Sequence, residues 1–506
     1  MLKSIKTSFK DTVVYGLGNI AVKLVGLILI PIFTNPKLFS IDQFGVLAML
    51  EICGIVLTAM MASALPQNLA RWFWDKEHRD NQKGIFFMSL VTQLVVSVSF
   101  CLVLIPLSGT LSVAIFSISD WGKALTYVIL ASAIQAINNI TNTLMRLQSR
   151  SILYSVTNLF KLASVLVLSL YFILSKKLGL EGYYLAQVIG NALVVLILIG
   201  FTIKNSRVFF NLTIFRSMSA YGFPLLLANV SAAALTVIDR VSLNSMALLK
   251  SVALYSMAFK ISSVLKLVIA DSMKLSLGPI ILRKIDSQDN KRFYSKVLLY
   301  SSFVMMLSII VISMFSFEVL KVITKTKDFW GAIVIVPILS LAVFFVNMRD
   351  VTIYGLHIAK KTRIIGLIVA LSAVLSIGLN IILIPVWDIT GTAIAKLLSE
   401  LIYWYACYYY SQKVFYVPYE IRKIMVMLLV GAALSFSGLF INGMHLFPRL
   451  LIKSCVVLSF PFILYLFNFY EPVELKVIRG FFIKWSKINN LGNNLRSLKG
   501  MPDFND

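Results

Sequence analysis

The stretch Asn380–Leu401, NIILIPVWDITGTAIAKLLSEL, decides how the chain is read. It begins apolar, breaks at Pro385, turns at Gly391 and resumes as a helix carrying Lys396 and Glu400. Proline removes a backbone donor and glycine turns a chain at little cost, so the stretch reads as two apolar helices joined at a corner. A soluble core rejects two charges on such a helix, and an inert membrane anchor has no use for them. Composition settles the first alternative. Of 506 residues, 59% are hydrophobic and 14% charged, with a mean hydropathy of +0.87. Soluble domains run at about 45–50% apolar and about 25% charged residues. The chain is a polytopic membrane protein.

A spanning helix needs about 20 mostly apolar residues. Fourteen such stretches lie near 13–33, 44–65, 84–106, 123–144, 151–174, 182–203, 220–243, 251–274, 297–317, 331–348, 364–385, 391–410, 424–443 and 450–470. The fold class is therefore all-α. The opening MLKSIKTSFKDT runs into the first stretch without a small-residue cleavage site, which reads as a retained helix. Lys and Arg concentrate in alternate loops, on the side of both termini, which predicts cytoplasmic N- and C-termini. The net charge of +25 is scattered between apolar runs in this way, so it speaks for membrane topology and against nucleic acid. Cys53, Cys101, Cys407 and Cys455 lie in apolar runs without a CxxC, as small core residues. His78, His357 and His445 are far apart, so no metal site is expected. The outward loops are too short for the external catalytic loop of a membrane glycosyltransferase.

The chain also repeats itself. YGLGNIAVKLVGLILI from Tyr15 is echoed 206 residues later by YGFPLLLANVSAAALTVI from Tyr221. EGYYLAQVIGNAL is echoed by TGTAIAKLLSEL, with Gly182 and Gly391 209 residues apart. Six helices per half make a parallel repeat, with a substrate path between halves. The expected division is 1–205 for an N-lobe, 206–410 for a C-lobe, 411–470 for two further helices and 471–506 for a basic tail.

LNIILIPVWDITGTAIA (Leu379–Ala395) is similar to the N-x-x-L-I-P-x-x-G-x-x-G-A-A-x-A segment of the polysaccharide-transporter family. That family includes the Wzx-type O-antigen flippases of the multidrug/oligosaccharidyl-lipid/polysaccharide exporter superfamily. The resemblance extends to YGFPLLLANVSAAALTVIDRVSLNSM (Tyr221–Met246), where the family has an early Pro and a late Asp-Arg. It continues in ALYSMAFKISSVLKLV (Ala253–Val268) and LVGLILIPIFTNPKLFSIDQFGVLAML (Leu24–Leu50). Where the family has Gly after Ile-Pro, this chain has Val386, Trp387 and Asp388. The resemblance implies a flippase, not an enzyme, that moves undecaprenyl-pyrophosphate-linked oligosaccharide across the bacterial cytoplasmic membrane. It implies two lobes rocking around a central cavity, no cofactor, proton or sodium coupling, and polysaccharide polymerase and chain-length proteins as partners. Three other readings stay open: a lipid II flippase of the MurJ type, an exporter of small organic cations, and a membrane glycosyltransferase.

The charges point to the same place. Each Lys, Arg or Asp at mid-bilayer costs about 2.5–3.5 kcal/mol, most of which a wet cavity removes. The helices carry Lys23, Lys161, Arg240, Lys260, Lys266, Lys274 and Lys396. Polar residues form stripes at helical spacing: Tyr15, Asn19 and Lys23; Gln135, Asn139, Asn142 and Arg146; Tyr154, Asn158 and Lys161. Lys260, Asp271 and Lys274 share one face of the eighth helix, from which Lys266 points away and snorkels. Lys23, Lys161, Lys260 and Lys396, with Arg146 and Lys274, are thus candidates to contact an anionic headgroup. Glu51 stands as a lone membrane acid, a candidate for ion coupling. Asp239 and Arg240, being adjacent, cannot face each other and are expected to pair across helices near the outer surface. With Asp271 and Glu400 they form a coupling or gating set. Lys396 and Glu400, one turn apart, read either as an interhelical clamp or as a cavity wall. Pro31 and Pro224 are expected bending points. Ile478, Phe481, Phe482, Trp485 and Ile488 face away from Lys484 and Lys487, an amphipathic helix for an anionic inner surface. One chamber, fed by cations of both lobes, is the expected site.

Overall fold

A computed structural model of the chain describes residues 28–75, 80–271, 273, 290–359, 361–472 and 474–476, without the side chain of Thr362. Every regular element among them is helical. The long ones are α1 (Ile41–Ala62) with its continuation α2 (Leu65–Phe73), α3 (Gln82–Leu104), α5 (Gly122–Leu147) after the short α4 (Ser108–Phe116), α6 (Ser151–Leu170) and α7 (Gly179–Lys204). They continue with α8 (Leu212–Met246), α9 (Leu249–Leu265), α10 (Asn290–Ile323), α11 (Val336–Thr352), α12 (Thr362–Val414), α13 (Ile421–Ile441) and α14 (Leu446–Leu466). Twelve spans among the described residues are long and apolar enough to cross a membrane. The first expected span, with the stripe Tyr15, Asn19 and Lys23, lies outside the described residues except for a last turn, Ile30–Phe33, that holds Pro31. The amphipathic tail segment and Lys274 lie outside them as well.

α12 contains two of the expected spans folded against each other. Asp388 breaks it, at φ 47° and ψ −121°, three residues after Pro385. The chain doubles back so sharply that a Cβ on Gly391 would overlap the carbonyl of Leu383, so no other residue fits there without a shift. Asp388 stands where the family pattern has its first glycine. Ser251 Oγ donates to Asp388 Oδ2 at 2.7 Å and holds the corner.

Local signals set other boundaries. Ser40 and Gln43 form a capping box that starts α1. Asn211 accepts from the Thr213 and Ile214 amides and starts α8, which runs 35 residues with Pro224 inside it. The stretch between the ninth and tenth expected spans is helical to Ile323 and then a 3-10 turn, Lys327–Val334.

Successive spans run in opposite directions. One end, here called upper, therefore carries the 247–248 link, the 327–334 turn and the Asp388 corner. The lower end carries the 148–150 and 205–211 links. Helices α1, α3, α5, α6 and α7 pack on one another, and α8, α9, α11 and α12 form a second group, with α10 joining α11 to α13 and α14. The two bundles meet mainly where α1 lies against α9 and α8. A Cβ on Gly45 would overlap the Leu249 carbonyl, so glycine permits this close approach. At the upper end Phe44, Leu47, Val252, Tyr255, Phe329 and Ile335 share one buried apolar cluster, with the Phe44 and Phe329 rings 5.1 Å apart. Apolar residues also cover the outside. Leu94, Val95, Val98 and Leu102 project from α3, Leu102 at 72% exposure, as a lipid-facing side requires. Cys407 is buried, whereas Cys455 is exposed on the outer side of α14, so the expectation that all four cysteines are core residues fails there.

Glu318 of α10 pairs with Arg449 at 2.7 Å and Lys453 at 2.8 Å, both on α14. Lys453, 0% exposed, also donates to Asn442 Oδ1 at 2.7 Å. Removing one member of such a buried set strands the others, so the set fixes α14 to α10.

Candidate functional site

A cavity of about 820 Å³ lies inside the N-terminal bundle, walled by α1, α2, α5, α6 and α7 and touched by Asn229 of α8. Gln135, Asn139, Asn142 and Arg146 recur at helical spacing along α5, which turns them all to this wall. Gln135 Nε2 donates to Asn139 Oδ1 at 2.8 Å, and Lys161 Nζ of α6 donates to Gln135 Oε1. Arg146 Nη2 donates to Thr143 Oγ1 at 3.0 Å. Among the described residues neither Arg146 nor Lys161 has a carboxylate within 4.0 Å. The wall reaches Pro66 and Gln67, where α2 continues from α1, and Arg146 near the lower end of α5, while the apolar cluster packs at the upper end.

Glu51 is the acid of this wall, and it is not alone. Lys260 of α9 reaches it across the boundary between the bundles at 2.7 Å, with side chains 16% and 24% exposed. The lone-acid reading is corrected by a partner that stands 209 residues away in sequence. Lys260 joins this cavity through Glu51 rather than lining it. Asp271 caps the π-helical turn Lys266–Ala270 at the end of α9 and lines neither cavity.

A second cavity, about 260 Å³, lies in the C-terminal bundle between α8, α9, α11 and α12. Lys266, Arg349, Lys396 and Glu400 line it. Lys266 therefore does not snorkel into lipid. The side of α9 opposite Lys260 faces a second polar space, which an inventory of one chamber leaves out. Ion pairs of alternating sign cross this wall: Asp239 to Lys396 at 3.2 Å, Lys396 to Glu400 at 3.5 Å, Glu400 to Arg349 at 2.6 Å and Arg349 to Asp350 at 3.3 Å. Lys396 also donates to the Leu235 carbonyl at 3.4 Å. Asp239 and Arg240 are 1% and 5% exposed and lie about two turns from the upper end of α8. Arg240 sits 4.8 Å from the centre of the Phe259 ring and donates to the Thr236 carbonyl at 3.3 Å. Asp239 Oδ2, Asn380 Oδ1, Ser399 Oγ and Tyr255 OH are buried without a hydrogen-bond partner. The pair Asp239–Lys396 is thus an ion contact without hydrogen-bond alignment.

The cations gather in two cavities, not in one shared chamber. Arg146 and Lys161 face the first, Lys266, Arg349 and Lys396 the second, and Lys260 ties the bundles together. Arg349 escaped the sequence reading because it falls one residue beyond the tenth expected span and looks like a loop cation. Its neighbour Asp350 was the available signal, an acid beside a cation at the end of an apolar run. Among the described residues no group of three or more His, Cys, Asp or Glu side chains could hold a metal ion.

Residues 8–284 match the family described as polysaccharide biosynthesis protein. No curated protein sequence matches the chain. Among solved structures, the lipid II flippase MurJ in an inward closed conformation is 14% identical, covers 90% of this chain and 100% of its own, and has a TM-score of 0.73. An inward-facing multidrug resistance transporter of the MATE family, within the MOP superfamily, is 13% identical over 79% of this chain and 94% of its own, with a TM-score of 0.64. A MOP superfamily transporter from Pyrococcus furiosus is 14% identical over 81% of this chain and 95% of its own, with a TM-score of 0.59. At these identities the likeness establishes the fold.

Proposed function

The chain belongs to the polysaccharide biosynthesis protein family, and from that premise we propose that it flips a lipid-linked oligosaccharide, carried on undecaprenyl diphosphate, from the inner to the outer leaflet of a bacterial cytoplasmic membrane. One observation carries the reading. Among the described residues, the N-terminal cavity holds Arg146 and Lys161 without acidic partners, while its acid, Glu51, is engaged by Lys260. A diphosphate is expelled from hydrocarbon by the cost of stripping its water, tens of kcal/mol for a bare ion. Arg146 and Lys161 in a polar cavity offset that cost while the isoprenoid tail stays in the bilayer. The remaining wall suits a glycan. Amides such as Gln67, Asn142 and Gln187 both donate to and accept from sugar hydroxyls. A small organic cation would be repelled by the same wall.

The cavity wall runs down to Arg146 near the lower end of α5, and a buried apolar cluster joins the bundles at the upper end. The distribution of Lys and Arg supports a cytoplasmic lower end, and with it loading from the inner leaflet. Rocking of the two bundles about the α1–α9 seam then exposes the headgroup to the other side.

The test uses proteoliposomes containing a fluorescent undecaprenyl-diphosphate oligosaccharide, with an impermeant quencher reading its arrival in the outer leaflet. A hydrogen bond to a charged group contributes about 1.5–3 kcal/mol, so Lys161→Met and Arg146→Met should each slow flipping about tenfold to hundredfold. Leu94→Ala, on the lipid side, should leave it unchanged. Wild-type rates in both cavity variants would refute the reading. Lipid II in a parallel assay tests a second reading, favoured by the reach of the MurJ likeness over 90% of this chain, against 79% for the MATE transporter.

A further inference from the structure

We propose that the upper end of α10 binds the phosphate of an anionic phospholipid in the outer leaflet, through Lys321 and Lys327 at the ring of Trp330. The inference goes beyond the flippase reading and does not depend on it.

The site is a string of cations and rings. Arg449 of α14 lies 5.1 Å from the centre of the Phe317 ring, and Lys321 Nζ lies 4.3 Å from the same centre. Lys321 is also 4.9 Å from the centre of the Trp330 ring, and Lys327 is 5.8 Å from it. Phe317 and Trp330 meet edge to face at 5.3 Å. A ring face attracts a cation but carries no net charge, so it places an ammonium group without neutralising it. The acid at hand is Glu318, and both its oxygens are engaged: Oε1 faces Arg449 at 2.7 Å and Oε2 faces Lys453 at 2.8 Å. Among the described residues no carboxylate, Asp328 included, stands within 4.0 Å of Lys321 or Lys327. Arg449 and Lys453 are buried, whereas Lys321 and Lys327 are exposed and open to a ligand. Four cations thus share one paired carboxylate, and an anion from outside completes the set.

Position says which anion. Lys321 is in the last turn of α10 and Lys327 opens the 3-10 turn, so both stand where the apolar span ends. Phosphates lie at that level of a bilayer, and Lys and Trp are side chains that reach them from an apolar stem or ring. Phe440 and Phe447, on the neighbouring ends of α13 and α14, are exposed and offer acyl chains an apolar surface. A free phosphate would use the cations and leave that surface bare. Topology does not account for these lysines, because Lys and Arg concentrate at the lower end and outward cations run against that bias.

The same turn reaches the seam between the bundles. Phe329, next to Trp330, lies in the buried apolar cluster with its ring 5.1 Å from that of Phe44. A lipid phosphate that gathers Lys321 and Lys327 braces the turn against α10, and with it the contact to α1.

The test is native mass spectrometry and thermal melting of the full chain in a neutral detergent, titrated with phosphatidylglycerol or with phosphatidylcholine. Phosphatidylglycerol should bind the wild type more tightly and raise its thermal midpoint, and phosphatidylcholine should not raise it. Lys321→Gln with Lys327→Gln should weaken the tightest phosphatidylglycerol by roughly tenfold to thirtyfold, the loss expected for two surface lysines. Lys321→Arg with Lys327→Arg keeps both charges and should keep the binding. Lys123→Gln with Lys250→Gln removes the same charge from exposed places elsewhere at this end and should change nothing. Equal binding of the two lipids by the wild type, or wild-type affinity in the Lys321 and Lys327 glutamine variant, would overturn the proposal. So would an equal loss in the Lys123 and Lys250 variant, or the same midpoint shift produced by inorganic phosphate.

Discussion

Asp388 holds a backbone conformation, φ 47° and ψ −121°, that costs a residue with a Cβ about 1–3 kcal/mol. Its bond from Ser251 offsets part of that, since a neutral donor to a carboxylate contributes roughly 1.5–3 kcal/mol when buried and less at a half-exposed corner. Asp388→Gly exchanges strain for the lost bond, so its thermal midpoint in detergent should stay near wild type. Asp388→Val keeps the strain and loses the bond, and should be clearly less stable. Ser251→Ala should lower the midpoint in the wild type but not in Asp388→Gly. The corner itself was legible from Pro385 and Gly391. The charged residues were legible as members of a helix but not as partners. Periodicity places Lys396 and Glu400 on one face, yet it is silent about which helix stands opposite. Asp239, Arg349 and the Lys260 that meets Glu51 come from elements hundreds of positions away or just past a boundary.

Between elements, the seam of α1 and α9 depends on Gly45 lying against the Leu249 carbonyl. Overpacking of a tight contact costs typically 1–3 kcal/mol. Gly45→Val should therefore lower the thermal midpoint and slow flipping together, whereas Gly109→Ala, which has open space around it, should do neither. A second seam lies at the lower end. Lys296 of α10 pairs with Glu420 at 2.8 Å and Glu471 at 2.5 Å, joining the segments before α13 and after α14. Burial would raise the Glu420 carboxyl, but bonds from Lys296 and Lys423 outweigh it and hold it below the ordinary range. A bond from Lys296 lowers Glu471 as well. A depressed folded-state value means stability that is present above the ordinary carboxylate range and lost as pH falls through it. The thermal midpoint should thus fall on acidification through that range, and Lys296→Met should flatten the dependence.

At the scale of the whole molecule, an ion pair bridges the two bundles. Glu51 of α1 and Lys260 of α9 stand 209 residues apart in the chain. They touch where the bundles meet, one acidic and one basic. Stranding either charge costs about 1–3 kcal/mol. Glu51→Leu and Lys260→Leu should each lower the thermal midpoint, and the reversal Glu51→Lys with Lys260→Glu should recover most of the loss. The number and class of the helices were legible because apolar length is a local property. The division of the polar interior into two cavities was not, because it depends on which bundle each stripe faces.

Glu318 shared between Arg449 and Lys453 has a practical outcome. With both cations fastened to one carboxylate, the last two helices cannot drift independently of α10. A fluorophore or antibody epitope placed on the short link at residues 442–445 would ride with that part of the protein. Motion of the second half could then be recorded from outside the membrane, far from the moving cargo and without touching it.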